Sequence, residues 1–158
     1  MKARDWTMGA AVALAVGFGV AAGGAFGADQ AAAVQARQQH FKDQGKAFKA
    51  VLDELKKDAP DKAVVAANAA KLKASSGQLP TWFPKGSGAE AGVKTAAKGE
   101  IWTDSAGFDA AADRFKTEAA KFDQLAQAGD LDAVKADVRA VGGSCKNCHD
   151  KFRVPDKT

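Results

Sequence analysis

Two thiols three positions apart with an imidazole beside them, Cys145-Lys146-Asn147-Cys148-His149, are the residues of this chain best suited to chemistry. On a helix, thiols at that spacing share a face, where each can add to a vinyl group of haem while the adjacent histidine ligates the iron. The chain has no other cysteine. The same spacing also serves redox dithiols and half zinc sites. A thioredoxin-like dithiol needs a βαβ setting that the sequence lacks, and a four-ligand zinc site would have to use every Cys and His of the chain, the distant His40 included. The residues point to one covalent haem c attached at Cys145 and Cys148, with His149 as the iron ligand. A helical redox or metal-binding module that uses the pair without haem is the competing class.

The N-terminus points the same way. Lys2 and Arg4 form a short positive region, and from Met8 to Ala28 the chain carries no charge and is mostly Ala, Val and Gly. That pattern reads as a secretory signal over residues 1–27. Small residues at Ala25 and Gly27 favour cleavage after Gly27; cleavage after Ala28 would place Phe26 where a small side chain is preferred. An uncleaved membrane anchor is the alternative, since about 20 apolar residues can just span a bilayer, although the glycines make a poor spanning helix. Export to the periplasm suits thioether attachment of haem, which is completed outside the cytoplasm, and the two cysteines leave none for a disulfide.

Residues 28–158 then form one domain of adequate size for a core. The leader holds two basic residues and one acidic, so the 23 and 19 of the whole chain become 21 and 18, a net charge of +3. That is too mild for a nucleic-acid footprint, and no dense basic run occurs. Lysines alternate with Asp and Glu as on solvated helix faces.

An Ala-rich chain without Tyr reads as all-α. Periodic segments lie at 29–57, 60–76, 104–128 and 130–154. Pro60 suits a first helical turn, Thr103 or Ser105 can cap the third helix, and Gly129-Asp130 reads as a stop followed by a new cap. The stretch 77–103 is a long crossover between helices 2 and 3. The expected fold is an antiparallel four-helix bundle with the covalent haem inside it.

In the last helix Leu131, Val134, Val138, Val141, Cys145, Cys148 and Phe152 follow three-four spacing, which sets both thiols in the apolar seam. His149 stands one position off it. Gly142 and Gly143 interrupt the helix at an energetic cost; they make room for a planar group or simply relieve local strain. In the first helix the same spacing gives Val34, Arg37, Phe41, Gln44, Phe48, Val51 and Leu55. An inward arginine needs a fixed anion, either a haem propionate or an Asp or Glu of another helix. Phe108, Phe115 and Phe122, seven residues apart, read as core.

The face of the iron opposite His149 decides what the haem does. Methionine occurs only at positions 1 and 8, both within the leader, which removes the His/Met electron carrier. His40 sits beside the inward seam, and nothing in its spacing aims it at iron. Phe41 lies in the seam one turn from Arg37, and an aromatic ring there would leave the iron five-coordinate and open to small ligands only.

The whole stretch after the leader resembles the cytochromes c prime, the class II c-type cytochromes. The resemblance rests on Arg37-Gln38 followed by Phe41, on Leu79-Pro80-Thr81-Trp82-Phe83-Pro84 and Gly86-Ser87-Gly88, on Glu100-Ile101-Trp102-Thr103-Asp104, and on residues 145–153. It implies a left-handed four-helix bundle, often a homodimer, with high-spin haem iron that has histidine below and an apolar side chain above. It further implies that Arg37 and Gln38 contact the haem edge, that Phe41 covers the distal face and that Arg153 lies near the proximal imidazole. Thr95 and Ala96 match a crossover position beside the haem, with Ala96 standing where a polar residue is more usual.

The first functional expectation is a non-enzymatic periplasmic haem protein that binds NO and CO at five-coordinate iron, in NO buffering or detoxification. The second is outer-sphere electron transfer to a redox protein partner, with surface lysines steering an acidic surface.

Overall fold

A computed structural model describes residues 23–155. Within them lie helices α1 (Gly23–Glu54), α2 (Lys62–Ser76), the single turn α3 (Glu100–Thr103), α4 (Ser105–Gln127) and α5 (Leu131–Phe152). The leader reading falls almost wholly outside the described residues. Helix α1 is already running at Gly23, earlier than the expected 29; residues 23–28, Gly-Gly-Ala-Phe-Gly-Ala, favour a helix poorly but hold no proline to break it.

Local chemistry sets the other boundaries. Helix α2 starts two residues after Pro60, since Asp61 takes the cap position and its carboxylate accepts from the Ala63 and Val64 N–H groups. Asp104, between the two expected caps Thr103 and Ser105, begins α4 by accepting from the Gly107 N–H at 3.1 Å. Gly129 adopts φ +70°, and Asp130 accepts from the Ala133 N–H at 2.9 Å, so the expected stop and cap between α4 and α5 are both present.

Helix α1 packs on α2, α2 on α4, and α4 on α5. Phe108, Phe115 and Phe122 are all buried, alongside Val51, Val65, Leu72, Val134 and Val141. Each contributes about 1.5–3 kcal/mol on burial, and the buried Ala69, Ala112, Ala119 and Ala126 let the helix backbones approach. Buried carboxylates also cross between helices: Asp123 of α4 pairs with Lys73 of α2 at 2.7 Å, and Asp137 of α5 pairs with Lys121 of α4.

The crossover is ordered by packing back on the bundle. It forms short 3-10 turns at Leu79–Trp82 and Ala89–Ala91, and Leu79, Trp82 and Ile101 are buried against the core. Trp102 donates its indole N–H to the Phe83 carbonyl at 3.2 Å. A short antiparallel bridge pairs Ala97 with Arg153, just past the end of α5.

Candidate functional site

Helices α1 and α5 do not pack closely on each other, and the space between them is the site. A cavity of about 500 Å³ runs between Arg37, Gln38 and Phe41 of α1 and Cys148, His149 and Phe152 of α5. A second, of about 210 Å³, continues it toward Phe48 and Cys145. Phe41, Leu79, Cys148 and His149 line both. Gly142 belongs to the same seam: a Cβ there would meet the Phe48 ring at 3.6 Å, an ordinary contact, and one on Gly143 would meet nothing. Neither glycine is therefore sterically required by the protein's own atoms.

Both cysteines are free, half-buried and packed against the core cluster, as their place in the α5 seam predicts. Burial pushes the Cys145 thiol up, and it pushes Cys148 up to about 11, helped by the neighbouring Cys145. A redox dithiol works through a depressed thiol pKa, the reverse of this environment. Among the described residues no group of three or more His, Cys, Asp or Glu is placed to hold a metal ion. What remains is two thiols and an imidazole on the wall of a large apolar slot, a donor set and a shape that fit a covalently attached porphyrin.

Arg37 is 3% exposed. It donates to Ser87 Oγ at 2.8 Å and the Ser87 carbonyl at 2.9 Å, to Thr95 Oγ1 at 3.0 Å and to the Trp82 carbonyl at 3.3 Å. Its guanidinium also lies 4.5 Å from the Phe83 ring centre. All four acceptors are neutral groups of the crossover, so the interhelical ion pair with Asp or Glu is not what holds this cation. Burial lowers its pKa accordingly. It stands on the cavity wall, where an anionic substituent of a bound group would meet it. Sequence reasoning found Arg37 but not Ser87 as its principal partner; the signal was the small, turn-forming Gly86-Ser87-Gly88 run, in which Gly86 has φ +86°.

The remaining expected residues gather at the same mouth. Gln38, though exposed, donates to the Lys94 carbonyl at 2.8 Å, and Thr95, Ala96 and Arg153 line the larger cavity. Phe41 is half-buried, with its ring edge-on to His149 at 6.2 Å and to Trp82 at 5.4 Å. His40 is exposed and stacks on Trp82 at 4.6 Å, and it lines neither cavity. The inward Gln44 bonds Ser75 of α2 at 2.9 Å, an α1–α2 link.

The family model described as Cytochrome C' matches residues 32–153. The cytochrome c' of Rubrivivax gelatinosus is 40% identical over 122 residues, 77% of this chain and 93% of its own length. That of Rhodopseudomonas palustris is 37% identical over 156 residues, 98% of each. The crystal structure of the Rubrivivax gelatinosus cytochrome c' superposes with a TM-score of 0.72 at 37% identity, covering 79% of this chain and 97% of that one. A nitric oxide complex of a cytochrome c prime variant from Alcaligenes xylosoxidans gives 0.72 at 33%, covering 80% and 97%.

Proposed function

This chain belongs to the cytochrome c' family and carries a covalent haem c, and from that premise we propose a periplasmic, non-catalytic protein that binds diatomic gases, NO above all. Cys145 and Cys148 would hold the group through thioethers, and His149 would ligate its iron. When bound, the haem supplies an iron that takes up a small ligand, and the chain's own residues determine what reaches it.

The observation that carries the reading is the position of Phe41. Its ring faces His149 across the α1–α5 seam, and no second imidazole or thioether stands with it: His40 is stacked on Trp82 outside both cavities, and no methionine occurs after position 8. An apolar ring on that side excludes water and larger ligands, while a small gas has only to push it aside. The solved NO complex of a relative supports gas binding in this fold. Arg37, fixed by four bonds to the crossover, would orient the haem edge. The export reading of residues 1–27 supplies the compartment, and NO buffering is the role such a site fits.

Electron transfer is kept as a second reading because Lys42 and Arg153 line the cavity mouth, where cations would steer an acidic partner. The proposal extends to a homodimer, which sedimentation velocity would test. Spectra of the oxidised and reduced protein, with and without NO, separate the readings. High-spin bands that change on NO addition support gas binding; a sharp, split low-spin spectrum indifferent to NO rejects it.

A further inference from the structure

The last four carbonyls of a helix have no intrahelical partner, and those of α5 follow directly after the haem-binding motif. The His149 carbonyl accepts from the Arg153 N–H at 3.0 Å. The other three are taken by one residue of the crossover. Lys98 donates its ammonium to the Asp150 carbonyl at 3.3 Å and the Lys151 carbonyl at 3.2 Å, and its backbone N–H to the Phe152 carbonyl at 3.0 Å. The Val154 N–H then returns a bond to the Ala96 carbonyl at 2.8 Å. A cation on a helix C-terminus is also favoured by the helix dipole.

The other end of the same short segment is tied to α1, through Gln38 on the Lys94 carbonyl and Arg37 on Thr95 Oγ1. Residues 94–98 therefore join the two walls of the site where the walls themselves do not pack. We propose that Lys98 is a positioning residue for His149: by occupying three of the four terminal carbonyls of α5 it fixes the turn that carries the imidazole, and so resists its release from iron. The inference rests on His149 being the iron ligand.

Lys98→Met tests it in the haem-loaded protein, because it removes the ammonium and keeps the backbone N–H and the apolar stem. Hydrogen exchange at the Arg153 and Val154 amides should quicken by roughly two- to five-fold, the range for a cation at a helix C-terminus, with the Val134 amide of the first turn unchanged. The spectrum of the ferrous NO adduct, which distinguishes iron that keeps its histidine from iron that has lost it, should show a larger share without histidine. Lys98→Arg should restore both. Unchanged terminal amides overturn the proposal whatever the spectrum does. Faster amides with an unaltered adduct overturn it too, leaving Lys98 as a helix cap with no hold on His149. If the unsubstituted protein forms no NO adduct, the gas-binding reading fails, and the hold on His149 is read instead from the iron–histidine stretch in resonance Raman spectra of the ferrous protein, which Lys98→Met should shift or broaden; an unchanged stretch overturns the clamp.

Discussion

Replacing Phe41 by alanine removes a ring that lines both cavities and lies edge-on to His149. The ring contacts Trp82 and Phe83 edge-on, at 5.4 and 6.1 Å, and any ligand reaching the iron from that side must move it out of those contacts. The void left behind is on the order of 100 Å³, which at ~24 cal/mol per Å³ corresponds to about 2 kcal/mol of packing. If that packing is what an incoming ligand gives up, its removal should quicken CO association by roughly 30-fold, since about 1.4 kcal/mol is a factor of ten. Stopped-flow mixing of the reduced protein with CO measures it directly. The ferric spectrum should move toward six-coordinate as water enters a pocket of that size. Phe41→Leu, which keeps an apolar branch there, should fall between the two and guards against loss of fold. His40→Ala should change neither quantity, because His40 lies outside both cavities. The reasoning is refuted if His40→Ala turns a low-spin spectrum high-spin while Phe41→Ala leaves CO association untouched.

Cys145→Ser with Cys148→Ser should leave all haem extractable by acid acetone, because thioether bonds need sulfur; colour that stays with the protein would contradict the attachment. Arg37→Leu should lower the reduction potential in a spectroelectrochemical titration, since losing a nearby cation favours the more positive oxidised iron. It should also lower the melting temperature, because the Ser87 and Trp82 carbonyls lose their donor. For Asp123, burial opposes ionisation but the bonds from Lys73 and Gln127 outweigh it, holding its pKa below the usual carboxylate range. A depressed carboxylate stabilises the fold at neutral pH and loses that contribution as pH falls through its folded-state value, so Asp123→Asn should flatten stability against pH below about 4.

The helix order, the burial of the three phenylalanines and the placing of both thiols in one seam were legible in the sequence because each follows from three-four spacing alone. The caps at Asp61 and Asp104 were each missed by a residue or two, since Pro60, Thr103 and Ser105 offered rival signals and only the backbone direction decides between them. The partners of Arg37 were harder to see. An inward cation on an amphipathic helix demands an acceptor, and periodicity suggests one on another helix. The acceptors actually used are carbonyls and hydroxyls of a segment with no period, brought to α1 by a turn at Gly86.

The same limit applies to what holds α1 apart from α5. A haem inside the bundle, with Phe41 across from His149, implies a gap between the two apolar stripes, but nothing in their periodicity says which residues keep it open. The crossover keeps the mouth of the seam open: Arg37 and Gln38 hold it from one side and Lys98 from the other. The slot is thus fixed by hydrogen bonds of residues 82–98 as much as by the two helices that form its walls. It follows that a substitution in the crossover, far in sequence from the thiols, should change how the haem seats while leaving the four helices intact. Thr95→Val is the sharpest case, since it keeps the side-chain shape and deletes the hydroxyl that accepts from both Arg37 and the Ala97 N–H. Far-ultraviolet circular dichroism should be unchanged, and the visible circular dichroism of the haem, which reports its orientation in the slot, should alter; an identical visible signal would mean that the helices alone set the seat.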